Sequence, residues 1–446
     1  MRDVMPDFES GAGTGMGKTG PALSRRALLG QGVMLGASLA LVPQFALAEV
    51  ASWPGVTRYA DNYVRTGKVA GAVAAMGVGQ ETLDVIARGR RTLQGGVIDG
   101  DSLFRIYSMT KPITGMAAMM LIDEGLLELD QPLAEILPKY AHMQVQRVAD
   151  GSVSDLVPAE RPITIRHLLT HTSGLGYSIV QQGPIKAAYV QAGLVPGRIS
   201  RLPLAEMFGA GNTMLTLAQF ADRLATMPLV YQPGTKWSYS VGLDLIGRVI
   251  EVVSGQSFDA FLQQRLFDPL GMTSTFFRVP QTEVGRLTTN YGVLGGVLLP
   301  LDPAGASVFL NEPAFPFGGS GLVSSPRDYD RFLRMLLGFG KFEGRRVMAE
   351  SAVRIGTSNL LPDGISTVGT FATGGGFGAG GRVGLGREAG TFGWAGAAGT
   401  IAFADLKRGW RGGYYTQYMP ASAYPIQKEF PEVAMKDALA ALGVNA

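Results

Sequence analysis

The placement of its strand-like segments constrains this chain more than any other feature. Short runs of small and β-branched residues occur near the front, at Val69–Met76 and Leu83–Gly89. Similar runs return close to the end, at Thr391–Asp405 and Gly412–Tyr418, around a turn at Arg408-Gly409. Between them, from about residue 106 to residue 300, apolar residues recur at helical spacing, with long loops. Met116, Met119, Met120 and Ile122 mark one core helix, ended by Gly125. Others are expected near Tyr59–Arg65, after Asp130-Gln131-Pro132, at Ile163–Leu169 capped by Thr164, and at Leu217–Thr226, Leu243–Val253 and Phe258–Leu266. Two more follow at Pro326–Leu337 and Pro431–Leu442. Strands at both ends share one sheet only if the ends fold together. The expectation is an α+β fold: an antiparallel sheet built from both chain ends, flanked by helices, with a mainly helical insertion. This divides the chain into a sheet subdomain, about 49–105 and 305–446, and a helical one, about 106–304.

Composition narrows the chemistry. Apolar residues are 46% of the chain and charged residues 17%, enough for a deep core and too apolar for disorder. A net charge of +3 gives no basic excess to recruit nucleic acid. Cysteine is absent, which removes disulfides, thiolate metal sites and a Cys nucleophile. A catalytic histidine could only be His142, His167 or His171. Glycine, at 62 residues, is abundant toward the C-terminus, where interspersed hydrophobics point to close backbone approach rather than a linker.

Residues 1–48 read as an export signal. Arg25-Arg26 precedes an uncharged segment diluted by Gly30, Gly32 and Gly36, and Ala46-Leu47-Ala48 gives a small-x-small cleavage pattern. Pro43 and the glycines make it a poor spanning helix. A twin-arginine signal and a periplasmic or secreted mature chain, without stable membrane insertion, are expected. Ala12–Thr19 fits a relaxed phosphate-loop pattern, but no strand precedes it, and it is read as chance.

Ser108 and Lys111 stand three apart immediately before the Met-rich helix, so hydroxyl and amine fall on one face. Backbone N–H groups and the positive end of the helix dipole favour negative charge at such a serine. A lysine that takes a proton from a hydroxyl must first be neutral, which burial and neighbouring charge favour. Far along the chain, Trp237-Ser238-Tyr239-Ser240-Val241-Gly242 precedes another helix. Later still, Phe392-Gly393-Trp394-Ala395-Gly396-Ala397 lies on an expected strand.

In this order, these motifs resemble those of the penicillin-recognising serine hydrolases, most of all class C β-lactamases and family VIII carboxylesterases. Asp123–Asp130, Ile165–Gly174, Tyr231–Gly234 and Gly319–Pro326 also look typical of that group, so the likeness runs from about residue 55 to 420. The resemblance implies Ser108 as acylated nucleophile, Lys111 as its activating partner and Tyr239 as phenolic acid/base. It implies the backbone N–H groups of Ser108 and Ala397 as the oxyanion site, with Trp394, Gly396 and Val241 facing substrate. It implies no cofactor and no metal. Two departures bear on substrate. Trp394 stands where the lactamases carry a lysine, and offers a flat apolar wall instead of a charge. Val241 stands where many carry an amide. Esterase is therefore the better match.

Other sites fare worse. His167 and His171 could share a helical face, but Leu168 replaces the glutamate of a zinc protease motif, and His171 is better read as bonding backbone. No G-x-S-x-G elbow occurs, and Gly376–Gly381 has no βαβ unit around it. The expected function is hydrolysis of small carboxylic esters. A β-lactamase, D-amino peptidase or cyclic-amide hydrolase with the same site, an acyltransferase, and a non-catalytic binding module stay as alternatives. The loop Tyr177–Asn212 is expected to wall the pocket.

Overall fold

The computed structural model describes residues 53–202 and 213–444. The expected export signal lies outside the described residues, as does the 203–212 part of the expected pocket-wall loop. Among the described residues no helix is long and apolar enough to cross a membrane.

A seven-stranded antiparallel sheet forms the centre. Two strands come from the front, β1 (Gly71–Val78) and β2 (Asp84–Gly89). The others come from the back: β3 (Gly375–Phe377), β4 (Arg382–Gly384), β5 (Thr391–Gly396), β6 (Thr400–Asp405) and β7 (Trp410–Tyr415). The order β3-β4-β5-β6-β7-β1-β2 sets the two chain ends side by side, with Val73 opposite Tyr415 and Val78 opposite Trp410.

Side chains alternate between the sheet's faces. Ala72, Ala74 and Met76 enter one core, Val73 and Ala75 the other; in β6, Ile401 and Phe403 part from Ala402 and Ala404 in the same way. Five helices matter most: α1 (Pro54–Arg65), α2 (Thr110–Asp123), α3 (Gly242–Ser254), α4 (Pro326–Leu337) and α5 (Ile426–Ala441). Val56 and Ala60 of α1 and Phe430 and Ala434 of α5 close the first core. Residues of α2, α3 and α4 build the second. Every residue of α2 from Thr110 to Leu121 is buried, so this helix is core on all sides rather than along one stripe. The cap expected at Thr164 is present, and as a capping box: its hydroxyl accepts from His167 N, and His167 Nδ1 accepts from Thr164 N.

Among the elements that differ from expectation, four stand out. Thr391–Asp405 is two strands, broken at Ala397–Gly399, where Gly399 takes a φ of 74°. Past β7, Tyr418–Met419 leaves the main sheet to pair with Asn290–Leu294. That strand belongs to a hairpin with Val297–Asp302, turned by Gly295-Gly296, inside the stretch read as helices and loops. The last helix starts at Ile426, so Pro431 lies inside it. Proline there removes one backbone bond, and fully buried Ile426 and Phe430 offset that cost.

Candidate active site

Ser108 lies in a single 3-10 turn, Tyr107–Met109, that runs directly into α2. The residue before it, Tyr107, has a φ of 43°, a left-handed conformation unfavourable for a bulky side chain and typical of functional sites. One turn on, Lys111 is 1% exposed. Its Nζ donates to the Gly319 carbonyl at 2.7 Å and reaches Ser108 Oγ at 3.3 Å. Tyr239, on the loop entering α3, donates from Oη to Ser108 Oγ at 2.8 Å. Lys111 Nζ lies 4.5 Å from the centre of the Tyr239 ring. The three groups expected from their motifs therefore meet at one oxygen, on a residue that is half-buried.

The Tyr239 loop is fastened from two sides. His171 accepts from Ser238 N through its backbone carbonyl at 2.9 Å and from Ser240 N through Nδ1 at 3.2 Å. Its ring packs 4.7 Å from that of Tyr239. Burial, reinforced by the Lys111 charge, pushes His171 well below the usual histidine range, so the ring is neutral. His171 thus bonds backbone as expected, but on a segment distant in sequence rather than at its own helix end. His167 is spent on its capping box, and burial pushes it down to about 4.

Trp394 has a use the sequence did not reveal. It is 8% exposed, and its indole N–H donates to Tyr239 Oη at 3.2 Å. It is a hydrogen-bond donor to the phenol as well as an aromatic wall. Phe377 and Trp237 pack around the same ring system. Val241 is 0% exposed and faces the interior at the start of α3, not an open cleft. The apolar surface that does face solvent is Phe371, 69% exposed, with its ring 5.5 Å from Tyr239.

Gly396 ends β5 against the segment that carries Ser108. A Cβ there would fall 2.3 Å from the Ile106 carbonyl oxygen, so only glycine allows this approach. Gln427 of α5 donates to the Gly396 carbonyl at 2.7 Å. Carbonyl and N–H of one trans peptide point opposite ways, so this bond turns the Ala397 N–H away from Gln427. Ala397 itself lies half-buried in the turn after β5.

A family model described as Beta-lactamase matches residues 56–429. Protein Rv1367c of Mycobacterium tuberculosis is 37% identical over 298 residues, covering 67% of this chain and 69% of that protein. Esterase EstB of Burkholderia gladioli is 33% identical over 290 residues, covering 62% of this chain and 68% of that protein. The structure of EstCE1, a hydrolase with promiscuous acyltransferase activity, matches with a TM-score of 0.67 over 86% of this chain and 97% of that one. At 24% identity that last likeness speaks to the fold alone. With the match running from α1 into α5 and the fold in common, this protein belongs to the Beta-lactamase family.

Proposed function

We propose that the protein is a serine hydrolase that cleaves small esters of apolar carboxylic acids through an acyl-enzyme on Ser108. One observation carries this reading: Ser108 Oγ lies 2.8 Å from Tyr239 Oη and 3.3 Å from Lys111 Nζ. In the proposed sequence, Ser108 loses its proton to the Lys111–Tyr239 pair as Oγ attacks the ester carbonyl carbon. The resulting oxyanion rests on the N–H groups of Ser108 and Ala397. Tyr239 hands the proton to the departing alkoxide, the C–O bond breaks, and the acyl group stays on Ser108. Water then attacks, gives a proton to Tyr239, and releases the acid while Ser108 is reprotonated.

The ester preference draws on the pocket. Trp394 offers no cation to a lactam's carboxylate, and the exposed Phe371 ring gives an apolar acyl group a surface to cover. Relatives described as esterases support the same class. Turnover of p-nitrophenyl butyrate should exceed that of nitrocefin by orders of magnitude, and Ser108→Ala should abolish it. Faster nitrocefin turnover would overturn the ester reading. Acyl transfer is the second reading, favoured by the likeness to Acyltransferase calJ of Penicillium decumbens, 33% identical over 235 residues. An added alcohol that diverts the butyryl group from water into a new ester would establish it. The Arg25-Arg26 segment supports action outside the cytoplasm.

A further inference from the structure

A buried carboxylate lies behind the amine. Asp244, in the first turn of α3, is 1% exposed. Its Oδ1 accepts from the Gly319 N–H at 2.9 Å, and the carbonyl of that same glycine accepts from Lys111 Nζ at 2.7 Å. A buried carboxyl and a buried amine are therefore joined through the main chain of one residue. A Cβ on Gly319 would lie 2.7 Å from Asp244 Oδ2, so this approach requires glycine.

An acidic residue in the first turn of a helix usually serves the helix dipole. That role does not account for Asp244. Its Oδ1 reaches a segment 75 residues away in sequence, and the group is held where its charge is costly. Burial pushes the carboxyl up to about 6, against the opposing pull of Lys111 and the Gly319 N–H. The folded value lies above the ordinary one of 3.8, so ionisation at neutral pH opposes folding, and that burden eases as pH falls below about 6. A group kept charged at such a cost, one glycine away from Lys111, has its use in the site.

Resting on the Ser108–Lys111–Tyr239 reading, the geometry points to Asp244 as a positioning residue: its carboxylate orients Gly319 so that the glycine carbonyl holds the Lys111 amine against Ser108. The neighbouring residues fit this assignment. The Gly318 carbonyl accepts from the Thr114 hydroxyl at 2.7 Å, and the Thr110 hydroxyl accepts from Leu322 N at 3.1 Å, so Gly318–Leu322 is fastened along α2 on either side of the Lys111 contact. Asp244, from α3, fixes the same segment through the Gly319 N–H.

The test compares Asp244→Ala and Asp244→Asn with wild type on p-nitrophenyl butyrate, together with the rate at which a fluorophosphonate labels Ser108. Removing the acceptor with Asp244→Ala should lower kcat by about 100-fold, with KM within about 2-fold. Asp244→Asn keeps an oxygen for the Gly319 N–H without the charge, and should recover part of the loss, to about 10-fold below wild type. Labelling of Ser108 should slow in step with kcat. If Asp244→Ala does not fold, Asp244→Asn carries the test by its own drop in kcat at constant KM. Wild-type kcat in Asp244→Asn, a loss confined to KM, or Asp244→Asn no better than a folded Asp244→Ala would each overturn the proposal. Failure of wild-type protein to label at Ser108 would instead overturn the acyl-enzyme reading beneath it.

Discussion

On the Tyr239 oxygen two hydrogen bonds meet, one given to Ser108 and one received from Trp394. A donor aimed at an oxygen stabilises negative charge there, and bonds to charged groups contribute about 1.5–3 kcal/mol. Trp394→Phe keeps an aromatic wall but removes the N–H together with part of the indole. It should lower kcat for p-nitrophenyl butyrate by about 10–100-fold, with a modest fall in Tm from the smaller buried ring; an unchanged kcat would reduce Trp394 to a packing residue. Ser108, Lys111 and Tyr239 were legible in the sequence because each sits in a short motif at the mouth of a helix. The indole bond was not, because it depends on how the fold sets β5 beside the Tyr239 loop. The two His171 contacts to Ser238 and Ser240 were hidden for the same reason, and the left-handed turn at Tyr107 carries no glycine to announce it.

Among the elements, the end of β5 does the most for the site. Gly396→Ala would put a methyl 2.3 Å from the Ile106 carbonyl and push strand and nucleophile turn apart. The expected result is a kcat lower by about 10²–10³-fold, comparable to loss of one oxyanion donor. A variant with normal kcat would show that the strand end need not touch the Ser108 segment. Helices were readable where an apolar rhythm coincides with a cap: Pro326–Leu337 begins and ends as its Ser325 cap and Gly338 suggest. Strands were harder. The break at Ala397–Gly399 is written in small residues that also suit a strand, and the hairpin at Gly295-Gly296 carried a turn signal inside a region that otherwise reads as helical.

Over the whole molecule, buried ion pairs tie distant segments together. Arg411 of β7 meets Asp330 of α4 at 2.5 Å, and Arg105, just ahead of the Ser108 turn, meets Asp302 at 2.6 Å. Arg411→Met leaves Asp330 buried without its partner and should cost about 3–5 kcal/mol. Pairing it with Asp330→Leu should restore most of the lost Tm, since two apolar side chains leave no orphan charge. Failure of the double variant to recover would mean that the pair specifies the fold. The joining of the chain ends in one sheet was legible from strand placement, whereas these pairs, set by tertiary packing, were not. The whole account rests on Ser108 being the nucleophile that the assembled site activates. Its most direct test is intact-mass and peptide-mapping mass spectrometry after fluorophosphonate treatment of wild type, Ser108→Ala and Tyr239→Phe. The account predicts a single adduct on Ser108 in wild type, none in Ser108→Ala, and labelling slower by about 10²–10⁴-fold in Tyr239→Phe. An adduct on another residue, or full esterase activity in Ser108→Ala, would contradict it.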